Sequence, residues 1–373
     1  MIEKQYPAYT ELSEFASFSA GGKVAFATDD FFAPCEGMLS DTDPIFIPDK
    51  YTEFGKWMDG WETRRKRITG HDWCIVKLAT KCVIRGLLVD TAFFTGNNAP
   101  KYSIQAASLT PEEEQSIPAR DCSKMGKACT ERELEQIKKL NSDKWDEIVP
   151  ITDLRPGYEE TRFNFQKVLN DEAWTHIRVN IYPDGGIARL KVYGEARPLW
   201  PSYRQVIDLV SLLNGGTCLD YSNAHYGHPK NMIKPYKSVT MADGWETARR
   251  NDRPEVIEAN DDGTLKVPGQ EWAVFKLGFP GKLNQICVDT AHFKGNFPDT
   301  VKIEGAYLGQ ANWNKESSYI GWQTILRPNK LSANAEHWFE CESEAVTHIR
   351  VTMAPDGGIS RIRTFGLVET NVI

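Results

Sequence analysis

Four blocks of this chain occur twice in the same order, and no other feature constrains its fold as tightly. Asp59-Gly60-Trp61-Glu62-Thr63 returns as Asp243-Gly244-Trp245-Glu246-Thr247. Asp90-Thr91-Ala92 returns as Asp289-Thr290-Ala291, each followed by a Gly-Asn pair, Gly96-Asn97 and Gly295-Asn296. Thr175-His176-Ile177-Arg178-Val179 returns as Thr347-His348-Ile349-Arg350-Val351, and Pro183-Asp184-Gly185-Gly186-Ile187 as Pro355-Asp356-Gly357-Gly358-Ile359. Four blocks in one order mean a duplicated domain. Core positions need only size and polarity and drift between copies. These blocks keep Asp, Glu, Arg, Asn, Trp and Gly, which points to a task beyond filling space.

A chain of 373 residues exceeds one ordinary core, whereas two repeats of roughly 170 residues are comfortable domains. The first domain is placed at residues 1–197, its repeat beginning near Gly21, and the second at 205–373, its repeat running from about Val206 to Val368. Residues 198–204 read as a linker, because Pro198 and Pro201 deny it helix or central strand. With 41% hydrophobic and 25% charged residues the chain can build cores, and a net charge of −7 argues against a nucleic-acid or anionic-membrane partner. No apolar run reaches the roughly 18 residues a membrane helix needs. Met1-Ile2-Glu3-Lys4-Gln5 lacks an apolar signal core. The eight cysteines do not match between copies and form no CxxC. They are expected to be free thiols in a cytoplasmic protein.

The expected class is all-β, one sandwich per repeat. Ile177 to Ile181 and Ile349 to Met353 alternate apolar and polar residues, the period of a strand with one face inward. His176 with Arg178, and His348 with Arg350, then share the outward face. Pro-Asp-Gly-Gly between two strand signals reads as a hairpin turn. Residues 75–78, 87–89, 274–277 and 286–288 read as further strands. Many short strands with Gly/Pro turns suit a β-sandwich. Residues 110–144 break the pattern. Thr130-Glu131-Arg132-Glu133 resembles a capping box opening a helix to about Leu140, in what reads as a surface insertion.

Each copy offers Asp, Trp, Glu and Arg within seven residues, with Arg65 matching Arg249. An Arg can bind a carboxylate bidentately, and a Glu or Asp can serve as general acid or base. Alternatively the Glu and Arg pair with each other and the Trp plugs the sandwich end. The loop after Asp90 and Asp289 is a good place for ligand-facing Asn97 and Asn296. Here Phe93 becomes His292, a change that marks His292 as a candidate acid–base group. Arg189 and Arg361 follow the Asp-Gly-Gly turn at equal spacing. They either point toward the Asp-Gly-Trp-Glu-Thr end or pair with Asp184 and Asp356. His225-Tyr226-Gly227-His228 fits no metal-ligand spacing, and there is no GxSxG, GxGxxG or Walker loop.

The tandem DGWET-(x)-R, DTA-(F/H)-F-x-GN and PDGGI-x-R blocks resemble those of the allantoicase family from about residue 20 to 368. The resemblance implies a pair of jelly-roll sandwiches of the galactose-binding-like type. It also implies hydrolysis of allantoate, a C–N bond cleavage of purine degradation that yields ureidoglycolate and urea.

Allantoate carries one carboxylate and two ureido groups on one tetrahedral carbon. Expelling urea needs a proton on the departing nitrogen, a push from the remaining ureido nitrogen, and water to attack the iminium-like centre. A site therefore needs an Arg, a general acid, a general base and amide-type partners. The candidate acid–base residues are His292, Glu246, Asp243 and Glu62, with Asp59 the first-copy counterpart of Asp243. The candidate substrate contacts are Arg65, Arg249, Asn97, Asn296, Arg189, Arg361, Trp61 and Trp245. No cofactor is required, although a divalent metal holding hydroxide could replace the base. A homo-oligomer is expected. Two rival readings are a non-catalytic ligand-binding sandwich, with Trp61 and Trp245 stacking on a sugar, and an enzyme acting on ureidoglycolate.

Overall fold

The computed structural model describes residues 6–121, 125–199, 201, 205–308 and 321–369. Most of the linker at 198–204, Cys122 and the segment 309–318 that replaces the first-copy insertion lie outside these residues. The chain divides into two units, Met1–Arg197 and Pro198–Ile373. Each is a β-sandwich, and the two repeat one topology.

In the first unit the principal strands are β1 (Lys23–Ala27), β2 (Asp72–Asp90), β3 (Lys101–Ala107), β4 (Asp146–Asp153), β5 (Phe163–Lys167), β6 (Ala173–Tyr182) and β7 (Arg189–Ala196). The 19-residue β2 organises the unit. Its first half pairs antiparallel with β1 and β6, and β6 passes the ladder on to β3 and then β4. Its second half pairs with β7 and β5. One bent strand thus belongs to both layers.

The second unit repeats this with β8 (Thr217–Tyr221), β9 (Glu271–Asp289), β10 (Thr300–Ala306), β11 (Gln323–Lys330), β12 (Glu336–Glu340), β13 (Val346–Ala354) and β14 (Arg361–Val368). Strand β9 pairs with β8 and β13 in its first half and with β14 and β12 in its second. The register of β9 against β13 slips between Lys276 and Gly281, around Pro280, where the strand changes layers.

The Pro-Asp-Gly-Gly blocks are not hairpin turns. Strands β6 and β7 never pair with each other, because they flank different halves of β2 and lie in different layers. The block is a corner between layers. Its Gly186-Ile187 pairs instead with Trp61-Glu62, and Gly358-Ile359 pairs with Trp245-Glu246. The glycines are needed for two reasons. Gly185 and Gly357 have φ of +129° and +140°, which disfavour any side chain. A Cβ on Gly186 or Gly358 would stand 2.0 Å from the ring of Phe94 or Phe293.

The outward placement of His176 and Arg178 holds, but that face is not solvated. Inner positions Cys74, Val76, Ile177 and Val179 fill the core, while Trp73 and Ile75 look out of the sheet and are also buried. The insertion covers them. Its helix α2 (Glu131–Lys138, after the short α1 at Pro111–Gln115) opens with the expected capping box. The Thr130 amide donates to the Glu133 carboxylate at 2.7 Å, and the Glu133 amide donates to Thr130 Oγ1 at 3.2 Å. Ile137 is completely buried against Phe26, Trp73 and Ile75. Under this cover Arg178 lies 4.0 Å above the Trp73 ring and donates to Asn180 and Ser142. The insertion therefore completes the first domain's core. Ile137→Ala is expected to destabilise the protein by roughly 2–5 kcal/mol, as a buried cavity does. A denaturation midpoint unchanged from wild type would mean that the insertion does not hold the sheet.

His176 and His348 are buried, each ring nitrogen Nδ1 hydrogen-bonded to the preceding threonine hydroxyl at 2.8 Å. Burial depresses both imidazoles to about 4. A histidine depressed on folding is neutral in the folded state and charged in the unfolded chain below its ordinary value of about 6.5. The stability it contributes is complete above that value and is lost as pH falls from about 6.5 toward 4. Unfolding free energy should thus decline on acidification through this window, and less steeply in a His176→Gln, His348→Gln double variant. Parallel declines in the two proteins would sink the assignment.

Candidate active site

The Asp-Gly-Trp-Glu-Thr segment lies between two backbone partners. In the second unit Glu246 bridges to Gly227 on one side and pairs with Gly358 on the other. Strand alternation then decides where side chains go. Trp245 and Thr247 point inward and Glu246 points out; Trp61, Thr63 and Glu62 repeat this. Trp61 and Trp245 are fully buried, each indole donating at 2.8 Å to a backbone carbonyl, of Asp29 and of Asn223. They plug the sandwich and cannot stack on a ligand, which corrects their place among the substrate contacts.

Arg189 and Arg361 reach the Asp-Gly-Trp-Glu-Thr end, but as scaffold. Each is almost wholly buried. Arg189 pairs with Asp59 at 2.8 Å and Arg361 pairs with Asp243, rather than with Asp184 or Asp356. Their other nitrogens donate to backbone carbonyls, including those of Asp59 and Asp243 themselves. Asp243 also holds Lys234 at 2.7 Å. Arg189, Arg361 and Asp243 therefore do not face a ligand: their polar atoms are spent inside the protein.

His292 is also elsewhere. Its Nε2 is hydrogen-bonded to the Ser238 carbonyl at 2.8 Å. Phe93 and His292 share a left-handed backbone, φ 68° and 71°. Phe93 stacks on Phe46 with ring centroids 5.6 Å apart. The residue at this position braces a neighbouring loop, and Phe or His is chosen by what that loop offers.

Glu, Asn and the second Arg remain, and the structure brings these together. Asn296 Nδ2 donates to Glu246 Oε1 at 2.5 Å, and Asn97 Nδ2 donates to Glu62 Oε1 at 2.7 Å. Burial pushes the Glu62 carboxyl above the usual range, partly offset by Asn97. Arg65 and Arg249 are exposed with no ion-pair or hydrogen-bond partner among the described residues, whereas Arg64, Lys66 and Arg250 are all paired.

In the second unit Glu246, Arg249 and Asn296 line one cavity of about 360 Å³ together with Tyr226, Arg253 and Asp356. Arg253 and Tyr226 had no signal in the duplicated blocks. Arg253 sits on a segment that the first copy lacks: six residues (66–71) separate Arg65 from β2, but 21 (250–270) separate Arg249 from β9. That difference in spacing was the available clue. Among the described residues no three His, Cys, Asp or Glu side chains converge as a metal site.

A loop-end cavity on a β-sandwich, presenting the Glu246 carboxylate, the Asn296 amide and the exposed Arg249 guanidinium beside the ion-paired Asp356 and Asp299, has the groups to bind a small polar acid. The chain belongs to the allantoicase family: the allantoicase-repeat model matches residues 13–197 and 207–369. It is 40% identical over 358 residues to a probable allantoicase of Burkholderia mallei, covering 94% of this chain and 92% of that one. A probable allantoicase of Acinetobacter baumannii is 40% identical over 360 residues, covering 95% and 94%. The crystal structure of allantoicase from Saccharomyces cerevisiae superposes with a TM-score of 0.70 at 33% identity, covering 94% of this chain and 92% of that one.

Replacing His292 by Phe tests the bracing role. Turnover should stay near normal, while stability falls by about 1 kcal/mol for the lost hydrogen bond. A folded variant with kcat reduced by roughly 10²-fold would restore His292 to proton transfer.

Proposed function

We propose that the chain hydrolyses allantoate to ureidoglycolate and urea, and that the reaction runs in the cavity of the second repeat. The observation that carries the choice of repeat is the joint lining of that cavity by Glu246, Asn296 and the unpaired Arg249. Arg249 holds the substrate carboxylate, for which a guanidinium fork is the best-matched side chain. Asn296 fixes one oxygen of Glu246, which leaves Oε2 free toward the substrate.

In the acid form Glu246 delivers its proton to the nitrogen of the departing ureido group. The C–N bond breaks, the lone pair of the remaining ureido nitrogen forms the iminium-like centre, and urea leaves. Water then adds to the carbon and returns a proton to the Glu246 carboxylate, which gives ureidoglycolate and restores the acid. One carboxyl group thus serves both steps, and each step uses only water and residues of the cavity. The free thiols of the described cysteines suit the cytoplasm as the compartment.

Glu246→Gln should lower kcat by roughly 10²-fold or more, the usual contribution of a positioned acid–base group. Glu62→Gln should leave kcat near wild type. Arg249→Ala should raise KM more than it lowers kcat, since it holds the carboxylate in ground and transition state alike; Arg65→Ala should change neither. The check is urea release from allantoate by each purified variant. The reverse pattern, with loss confined to Glu62 and Arg65, would move the active site to the first repeat.

A further inference from the structure

We infer that Arg253 is a second substrate-binding guanidinium, one that takes a ureido carbonyl oxygen while Arg249 takes the carboxylate. The inference rests on the proposed reaction in the second repeat and adds to it a residue outside the duplicated blocks.

Three observations converge on Arg253. It lines the cavity that holds Glu246, Arg249 and Asn296. One of its terminal nitrogens pairs with Asp356, yet its Nε–H is buried with no partner among the described residues. A buried donor left unmet is a net loss of stability, so it persists best where a ligand supplies the acceptor. Finally, Arg253 has no counterpart in the first copy. There Asp184 accepts from the Lys66 backbone amide, and the equivalent Asp356 accepts from the Arg250 amide in the same way. The pairing of Asp356 with Arg253 is therefore an addition to a corner that is already complete without it.

The segment that carries Arg253 is itself anchored. A small hairpin forms at Ala259 and Leu265, where the Asn260 amide donates to Thr264 O at 2.7 Å and the Lys266 amide to Glu258 O at 2.8 Å. The Leu265 amide donates to Asp299 at 2.8 Å, and Lys330 bridges Asp299 and the Gly263 carbonyl. Leu265 and Asp299 belong to the same cavity wall as Arg253. The guanidinium is thus held by Asp356 through one terminal nitrogen and carried by a fastened segment, with its Nε–H left over. A carbonyl oxygen is the complement of that donor. A substrate with a carboxylate and two ureido groups needs more than Arg249 to choose which ureido group faces Glu246.

Two competitive inhibitors separate this role from a structural one. N-carbamoylglycine carries a carboxylate and one ureido group; glycolate carries the carboxylate alone. Arg253→Ala should weaken inhibition by N-carbamoylglycine at least tenfold and leave that by glycolate within about twofold. Arg249→Ala should weaken both. Arg253→Lys keeps a cation beside Asp356 but has no Nε–H, so it should show the same selective loss and carries the test should the alanine variant fold poorly. Equal effects on both inhibitors, or no effect on either, would overturn the inference. Inhibitor binding measured calorimetrically does not require turnover. Failure of wild-type protein to release urea from allantoate would therefore count against the proposed reaction and leave the Arg253 result to stand or fall separately.

Discussion

The buried pair Arg361–Asp243 and its partly buried counterpart Arg189–Asp59 are the interactions on which the loop end of each sandwich depends. Burying two charges is expensive, and a well-packed apolar substitute often does as well for stability. What an apolar pair cannot do is aim the backbone. Arg361 donates to the Asp243 carboxylate, to the Asp243 carbonyl and to the Tyr236 carbonyl, so one side chain ties two stretches of chain to its own strand. With Asp243 held, Gly244 passes close to the Ile359 carbonyl, Trp245 falls into the core and Glu246 faces outward. The Glu246 carboxylate, the acid–base group of the proposed reaction, is therefore placed by a charge pair outside the cavity lining. Keeping that pair in both copies is consistent with a demand for geometry rather than for stability.

This explains which parts of the site were legible in the sequence. The duplication, the all-β class, the capped helix and the outward face of His176 and Arg178 followed from periodicity and local signals. The retained polar residues divided in a way that sequence spacing does not show. Trp61, Trp245, Arg189, Arg361 and Asp243 belong to the corner, and Glu246, Asn296 and Arg249 belong to the cavity. Both groups sit in the same blocks, because alternate residues of one short strand serve opposite sides. Likewise Pro-Asp-Gly-Gly carries a turn signature whether its flanking strands pair or part. Only the partners of β2 decide that, and those contacts are distant in sequence. His292 looked informative because it differed from Phe93, yet the difference follows a neighbouring loop, Phe46 in one copy and Ser238 in the other.

The two copies have also spent their unmatched residues in different places. The first copy's insertion, residues 110–144, lies on the outer face of its sheet, where Ile137, Leu134 and Leu140 shelter Trp73 and Ile75. The second copy's longer 250–270 segment, 21 residues against six at 66–71, lies at the loop end, where Arg253 and Leu265 wall the cavity. One addition supplies apolar cover, and the other supplies a cation, a hairpin and a cavity wall. Loops tolerate insertion because loop closure grows only slowly more costly with length, so either end of a duplicated sandwich can be elaborated without disturbing the shared frame.

That frame clarifies why duplication alone does not imply two active sites. Glu62 and Asn97 reproduce the hydrogen bond of Glu246 and Asn296 almost to the same length, and Arg65, like Arg249, is exposed and unpaired among the described residues. A carboxylate, an amide and a guanidinium can capture a small acid, but they define few points on a tetrahedral carbon with two like substituents. Selecting one ureido group takes a further fixed contact, and the second copy has the extra segment to provide it. Arg253 arrives on that segment, outside every duplicated block, so selection could act on it without disturbing the Arg361–Asp243 pair that aims Glu246. The first copy keeps the aimed carboxylate and lacks that contact, which is the arrangement expected when one repeat binds and turns over substrate and its twin preserves the frame.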